Sequence, residues 1–96
     1  MVAYAIFIRK HTLDQEELDI YAAKVGPVLG KYAPKVLAGH GAHEVVEGDD
    51  IEGLVILAFP NLDLARRWYH SPEYQEAVQH RLKGGRYHGI IVDGPP

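Results

Sequence analysis

Two stretches of this sequence, residues 3 to 9 and residues 53 to 59, are apolar at odd and even positions alike. In the first, Tyr4, Ile6 and Ile8 alternate with Ala3, Ala5 and Phe7; in the second, Leu54, Ile56 and Ala58 alternate with Val55, Leu57 and Phe59. Successive side chains of an extended chain point to opposite faces, so each stretch predicts a central strand that needs cover on both sides. A chain of 96 residues is enough for one domain, 1–96, and a domain of that size removes only about 60–65% of its unfolded surface from water. Helices drawn from so short a chain cover one face of a sheet. The other face is left as a broad apolar surface, which predicts a homodimer packed sheet on sheet with space for a small molecule inside.

The rest of the chain supplies the helices. Asp14 with Glu17 three residues on forms a capping-box pair, and Leu13 is placed to fold onto Leu18 as a staple. From there Leu18, Tyr21, Ala22, Val25, Val28, Leu29 and Tyr32 form an apolar stripe at helical spacing, which Gly26-Pro27 is expected to kink. Ala33-Pro34 turns the chain into a strand over 35–39. The pair Gly39 and Gly41 around His40 predicts a bulge or close backbone approach, and 44–48 reads as a short edge-strand extension. After residue 59, Asn61 caps a helix carrying Leu62, Ala65, Trp68 and Tyr69 on one face. The chain breaks at His70-Ser71, and Ser71-Pro72-Glu73 restarts a helix with Tyr74, Ala77, Val78 and Leu82 inward. Gly84-Gly85 ends that helix, and a last strand over 86–93 sets Tyr87, Gly89 and Ile91 against His88, Ile90 and Val92, before Gly94-Pro95-Pro96 stops it. The order is βαββαβ, an α+β ferredoxin-like sandwich that doubles into a dimeric α/β barrel.

Composition closes several functional classes. With 47% hydrophobic and 24% charged residues the chain is an ordinary globular protein, and a net charge of −3 gives no general attraction to nucleic acid or anionic lipid. No cysteine is present, which excludes disulfides, thiolate catalysis and cysteine-ligated metals. The apolar run after Met1 is short and has no basic segment before it, so neither a secretory signal nor a membrane span is expected, and the reading is cytoplasmic.

With the elements placed, the sequence resembles the domain-of-unknown-function family 1330, a branch of the dimeric α/β-barrel superfamily. The resemblance covers nearly the whole chain. It rests on Tyr21 and Val25-Gly26-Pro27-Val28-Leu29, on Glu44-Val45-Val46-Glu47-Gly48-Asp49, on Leu57-Ala58-Phe59-Pro60, and above all on Trp68-Tyr69-His70-Ser71-Pro72-Glu73-Tyr74-Gln75. It implies the fold and a homodimer, and no particular reaction. The family usually carries an Arg and two glycines before the position of Glu44; this chain has Gly39-His40-Gly41 there, so a role for that Arg in binding an acidic group does not carry over. The wider superfamily includes cofactor-free monooxygenases, isomerases, muconolactone-type enzymes and haem proteins, and that breadth forbids reading a reaction from the fold.

The candidate site residues follow from chemistry. His40 stands between glycines that let a ligand approach, and its imidazole titrates near neutral pH, as a general acid or base must; the plainer reading is a surface histidine at a strand end. His43, three residues on in an extended segment, faces the other way, so the two make a poor metal pair, and neither metal nor cofactor is called for. Trp68, Tyr69 and Tyr74 are expected to line an aromatic pocket, with core packing as the plain alternative, and Tyr4 to face the space between sheets. His88 reads as a ligand contact or an interface histidine. Arg67, with Arg66, either complements the helix dipole or holds a substrate carboxylate. The leading expectation is a small carbonyl-bearing or aromatic ligand held between sheet and helices. The rivals are a cofactor-independent oxygenase or isomerase using His40, a non-enzymatic dimerisation module and, third, a haem protein, since histidine ligates haem.

Overall fold

A computed structural model describes residues 2–95. Met1 and Pro96, the ends of the expected 1–96 domain and the latter also the end of the stop signal, lie outside the described residues. The elements are β1 (Ala3–Thr12), α1 (Gln15–Tyr32), β2 (Lys35–Gly39), β3 (Gly53–Phe59), α2 (Leu62–His70), α3 (Pro72–Gly84) and β4 (Gly85–Asp93). The sheet is antiparallel throughout, in the order β2-β3-β1-β4. This is the α+β ferredoxin-like arrangement that the element order predicts.

The two doubly apolar strands are the neighbours at the centre, paired from Ala3 opposite Phe59 to Arg9 opposite Gly53. Ala3, Ala5, Phe7, Leu57 and Phe59 turn toward the helices and are buried with Trp68, Tyr74 and Val78. The alternating residues turn the other way. Cross-strand register sets Ile6 between Ile56 and Ile90, Tyr4 between Ala58 and Val92, and Ile8 between Leu54 and His88, so that face carries a nearly continuous apolar grid with no helix over it.

The caps expected from sequence form. Asn61 Oδ1 accepts from the Leu64 N–H at 2.9 Å, and Ser71 Oγ from the Tyr74 N–H at 3.2 Å, so the chain breaks and restarts at Ser71 with Pro72 in the first turn. Other expectations fail locally. Asp14 caps α1 by accepting from the Glu16 N–H, but the capping box does not close: the Asp14 N–H donates to the Gly84 carbonyl at 3.0 Å, and Glu17 turns to His80 instead. Leu13 stays exposed, so there is no staple. α1 continues as one helix through Pro27 to Tyr32. Residues 44–48 form no strand; they belong to a loop between β2 and β3. The bulge lies between Val36 and Ala38, ahead of the Gly39-His40-Gly41 segment.

α1 packs along α3 rather than down onto the sheet. The two helices crowd each other at Gly84, where a side chain would collide with Leu18. Farther along, Tyr21 and Tyr74 share a hydroxyl hydrogen bond of 3.0 Å, and Lys24–Glu76 and Lys31–Glu73 pair across the surface at 3.3 and 2.9 Å. Because α1 leans on its neighbour helix, a gap remains beneath it.

Candidate functional site

That gap is a cavity of about 460 Å³ between α1 and the inner face of the sheet. Phe7, Val55 and Leu57 form its floor; Leu18, Tyr21, Ala22, Val25, Gly26 and Leu29 of α1 form its roof, and Trp68, Arg81 and Tyr87 close it toward the other helices and β4. The lining is mostly apolar, with Arg9, Asp19 and Arg81 as its charged groups and His40, Tyr21 and Tyr87 as its other titratable ones. Size and character are those of a small-molecule site.

Arg81 is the unexpected member. The α3 stripe was expected to run through Tyr74, Ala77, Val78 and Leu82; in the structure its fourth place is taken by Arg81, which is 4% exposed, while Leu82 is 60% exposed. The Arg81 Cζ atom lies 4.6 Å from the Phe7 ring centroid, 4.7 Å from that of Tyr87 and 5.8 Å from that of Tyr21. These rings offset part of the cost of burying the cation. Among the described residues its Nε and Nη1 have no hydrogen-bond partner, and neither does the buried indole Nε1 of Trp68. The one available signal in sequence was the spacing itself, since 74, 77, 78 and 81 repeat as i, i+3, i+4 and i+7.

His40 stands at the cavity's edge by an unusual route. Gly39 opposes Val55 on the inner face, so simple alternation would send the next side chain outward. His40 instead adopts φ 58°, a left-handed conformation, while its N–H still donates to the Leu54 carbonyl at 2.8 Å. The turn carries the imidazole back over Gly53, where an added Cβ would lie 2.8 Å from His40 Nδ1. Gly53 is therefore the glycine this site requires; Gly39 and Gly41 keep ordinary φ. Partial burial, and then the nearby Arg9 guanidinium, hold the His40 pKa below the usual histidine value, so the ring is neutral at pH 7. Arg9 itself is engaged, with Nε 3.2 Å from Glu52 Oε1, although the angle is too poor for a hydrogen bond. The Thr12 hydroxyl and N–H fix Glu52 and hold its carboxyl below the usual range.

The other expected site residues separate into groups. Trp68 lines the cavity. Tyr74 is fully buried one layer behind it, with its ring 4.2 Å from that of Trp68 and its hydroxyl on Tyr21, so it positions a lining residue rather than lining. Burial pushes both the Tyr21 and Tyr74 hydroxyls above the ordinary phenol pKa, and both stay neutral, one donating to the other. Tyr69 borders a second hollow of about 250 Å³ with His70, Gly89 and Ile91. Tyr4 and His88 lie on the helix-free face, across the sheet from Trp68 and His40. Arg67 is exposed on α2, paired 2.9 Å from Asp63, and borders neither cavity. His43 is turned toward the backbone carbonyls of Gly41 and Ile51, at 3.4 and 3.3 Å. Among the described residues no helix is long and apolar enough to cross a membrane.

Comparison with known proteins places this geometry. The sequence model of the family described as "Domain of unknown function (DUF1330)" matches residues 2–95. Among curated proteins none matches the chain. A protein of unknown function from Rhodopseudomonas palustris has a similar structure, with TM-score 0.74, 17% identity, and coverage of 99% of this chain and 83% of that one. A dimeric ferredoxin-like protein of unknown function from Thermobifida fusca matches with TM-score 0.65 and 10% identity over 98% of this chain and 92% of that one. SnoaB, a cofactor-independent oxygenase from Streptomyces nogalater, matches with TM-score 0.62 and 12% identity over 99% and 93%. At such identities the likeness speaks for the fold.

Proposed function

We propose, from the premise that the chain belongs to the DUF1330 family, that it is a homodimeric protein binding a small aromatic or carbonyl-bearing organic molecule in the cavity between α1 and the sheet. The observation that carries this reading is the cavity itself: about 460 Å³, walled by Phe7, Tyr21, Trp68 and Tyr87, with a few polar groups at defined places. The homodimer is supported by the apolar grid around Ile6 and by the dimeric state given for the Thermobifida fusca protein. A thermal-shift series on the intact protein tests the cavity reading, because a ligand that binds only the folded state raises the melting temperature. Acetophenone, benzamide and related small aromatic carbonyls should raise it. Val25→Phe, which fills the roof, should abolish the rise. If no compound shifts the parent protein, or if Val25→Phe shifts equally, the cavity is not the site.

A second reading is favoured by His40. A neutral imidazole at the edge of an aromatic cavity has the protonation state that a general base needs, and cofactor-independent oxygenation is named for one protein of similar structure. In this reading His40 takes a proton from a hydroxylated aromatic bound beneath α1. Turnover without flavin or metal, lost in His40→Gly while the melting curve is kept, is the expected result; equal rates in variant and parent would remove His40 from any chemistry.

A further inference from the structure

We propose that Arg81 anchors a carboxylate, so that the cavity selects organic acids over neutral carbonyl compounds of the same shape; this rests on reading the cavity beneath α1 as the ligand site. A guanidinium withdrawn from water is costly unless an anion and hydrogen-bond acceptors compensate it. Arg81 is nearly fully buried, yet among the described residues it has no ion-pair partner, and two of its nitrogens have no acceptor.

Asp19, the carboxylate in the cavity lining, and four others on adjoining elements have partners of their own. Glu17 holds His80 Nδ1 at 2.6 Å, Asp19 accepts from Gln15 at 2.9 Å, Glu73 and Glu76 pair with Lys31 and Lys24, and Glu52 pairs with Arg9. The neighbouring phenols of Tyr21 and Tyr74 are neutral and bonded to each other. What remains around Arg81 is aromatic surface, and ring faces are weaker partners for a cation than an oxyanion.

The missing partner is therefore a group the chain does not supply. A carboxylate fits better than a phosphate. It is planar and singly charged, matching one guanidinium fork, and it leaves an aromatic or aliphatic body for the apolar walls. A phosphate dianion would need several further donors that a lining of Phe7, Leu18, Val25, Leu29 and Leu57 does not provide.

The test uses matched pairs on the intact protein: benzoate against benzamide, and phenylacetate against phenylacetamide, followed by calorimetry and by the emission of Trp68, the single tryptophan. The acids should bind at least about tenfold more tightly than their amides at pH 7, the difference expected when a charge-assisted pair replaces a neutral contact. In Arg81→Gln the acids should lose at least about tenfold while the amides stay within about twofold, and Arg81→Lys should fall between. Equal affinity of acid and amide in the parent protein overturns the anchor, as does a preference for acids that survives Arg81→Gln. The comparison on unmodified protein decides the matter if the variants unfold. Acid and amide binding equally, with both blocked by Val25→Phe, would remove the anchor and keep the cavity; failure of all four probes would remove both.

Discussion

Gly84 and Gly30 are both helical glycines, and the structure predicts opposite consequences when each becomes alanine. At Gly30 an added Cβ meets nothing within 4 Å. Gly30→Ala should therefore yield the ordinary helix-propensity gain of about 0.8–1 kcal/mol. At Gly84 the same Cβ would lie 2.7 Å from Leu18 Cδ2, 2.8 Å from Cγ and 3.0 Å from the Leu18 backbone nitrogen. The side-chain atoms can swing aside; the nitrogen moves only with the start of α1, which is also tied to Gly84 by the Leu13 and Asp14 N–H groups at 2.8 and 3.0 Å. Overpacking of this kind costs about 1–3 kcal/mol, and Gly84, as the last residue of α3, recovers little of the interior propensity gain, so about 1–3 kcal/mol of destabilisation remains. For a domain of this size, 1 kcal/mol moves the melting temperature by about 4–8 °C, so Gly30→Ala should melt about 3–8 °C above the parent and Gly84→Ala about 4–24 °C below it. Thermal melts and urea titrations at one protein concentration read both. Adding Leu18→Ala should weaken the penalty at 84, since it removes two of the three close atoms. A Gly84→Ala protein as stable as the parent, with an unchanged urea slope, would refute the claim that α1 and α3 touch here and with it the account of why the cavity stays open.

The remaining predictions concern titration, strain and association. His40 has a folded pKa below its unfolded value, so its contribution to stability is full above pH 6.5 and is lost as pH falls toward the folded pKa; imidazole NMR should find this ring titrating below 6.5. Because His40 holds φ 58°, His40→Gly should keep stability within about 1 kcal/mol of the parent, while His40→Val, β-branched in a left-handed site, should lose about 1–2 kcal/mol more. Of the six tyrosines, Tyr21 and Tyr74 should resist ionisation when ultraviolet absorbance is followed above pH 10, and because their folded pKa values are raised, the stability they carry should be present below pH 10 and decline above it. Ile6→Lys, at the centre of the helix-free face, should halve the mass seen by light scattering; an unchanged mass would mean that this face is not where two copies meet.

The fold was legible because its signals are local and periodic. Doubly apolar strands, Asn61 and Ser71 as caps, and Pro72 in a first turn each leave a pattern that survives without knowledge of neighbours. The site was less so. Trp68 and His40 do meet at one cavity, but Tyr4 and His88, alternating with inner residues on β1 and β4, lie behind the sheet. Arg81 is hard to find from the sequence because charge suggests the surface, and only its ring partners, of which Phe7 and Tyr21 are far away in sequence, make its burial tolerable. The capping box failed for a related reason: Glu17 has the right spacing, yet His80 lies 63 residues on and offers a better partner.

The parity of the central strands also sets where this chain can change length. Adding or removing one residue inside β1 would turn Phe7 to the rear and bring Ile6 or Ile8 forward, exchanging the cavity floor for the outer grid in a single step. The twelve or so positions between Gly39 and Gly53 are under no such alternation beyond His40, whose left-handed turn ends it. Insertions and deletions made there should be borne quietly, and a display library built to reshape the rim of the cavity has its natural place in that loop.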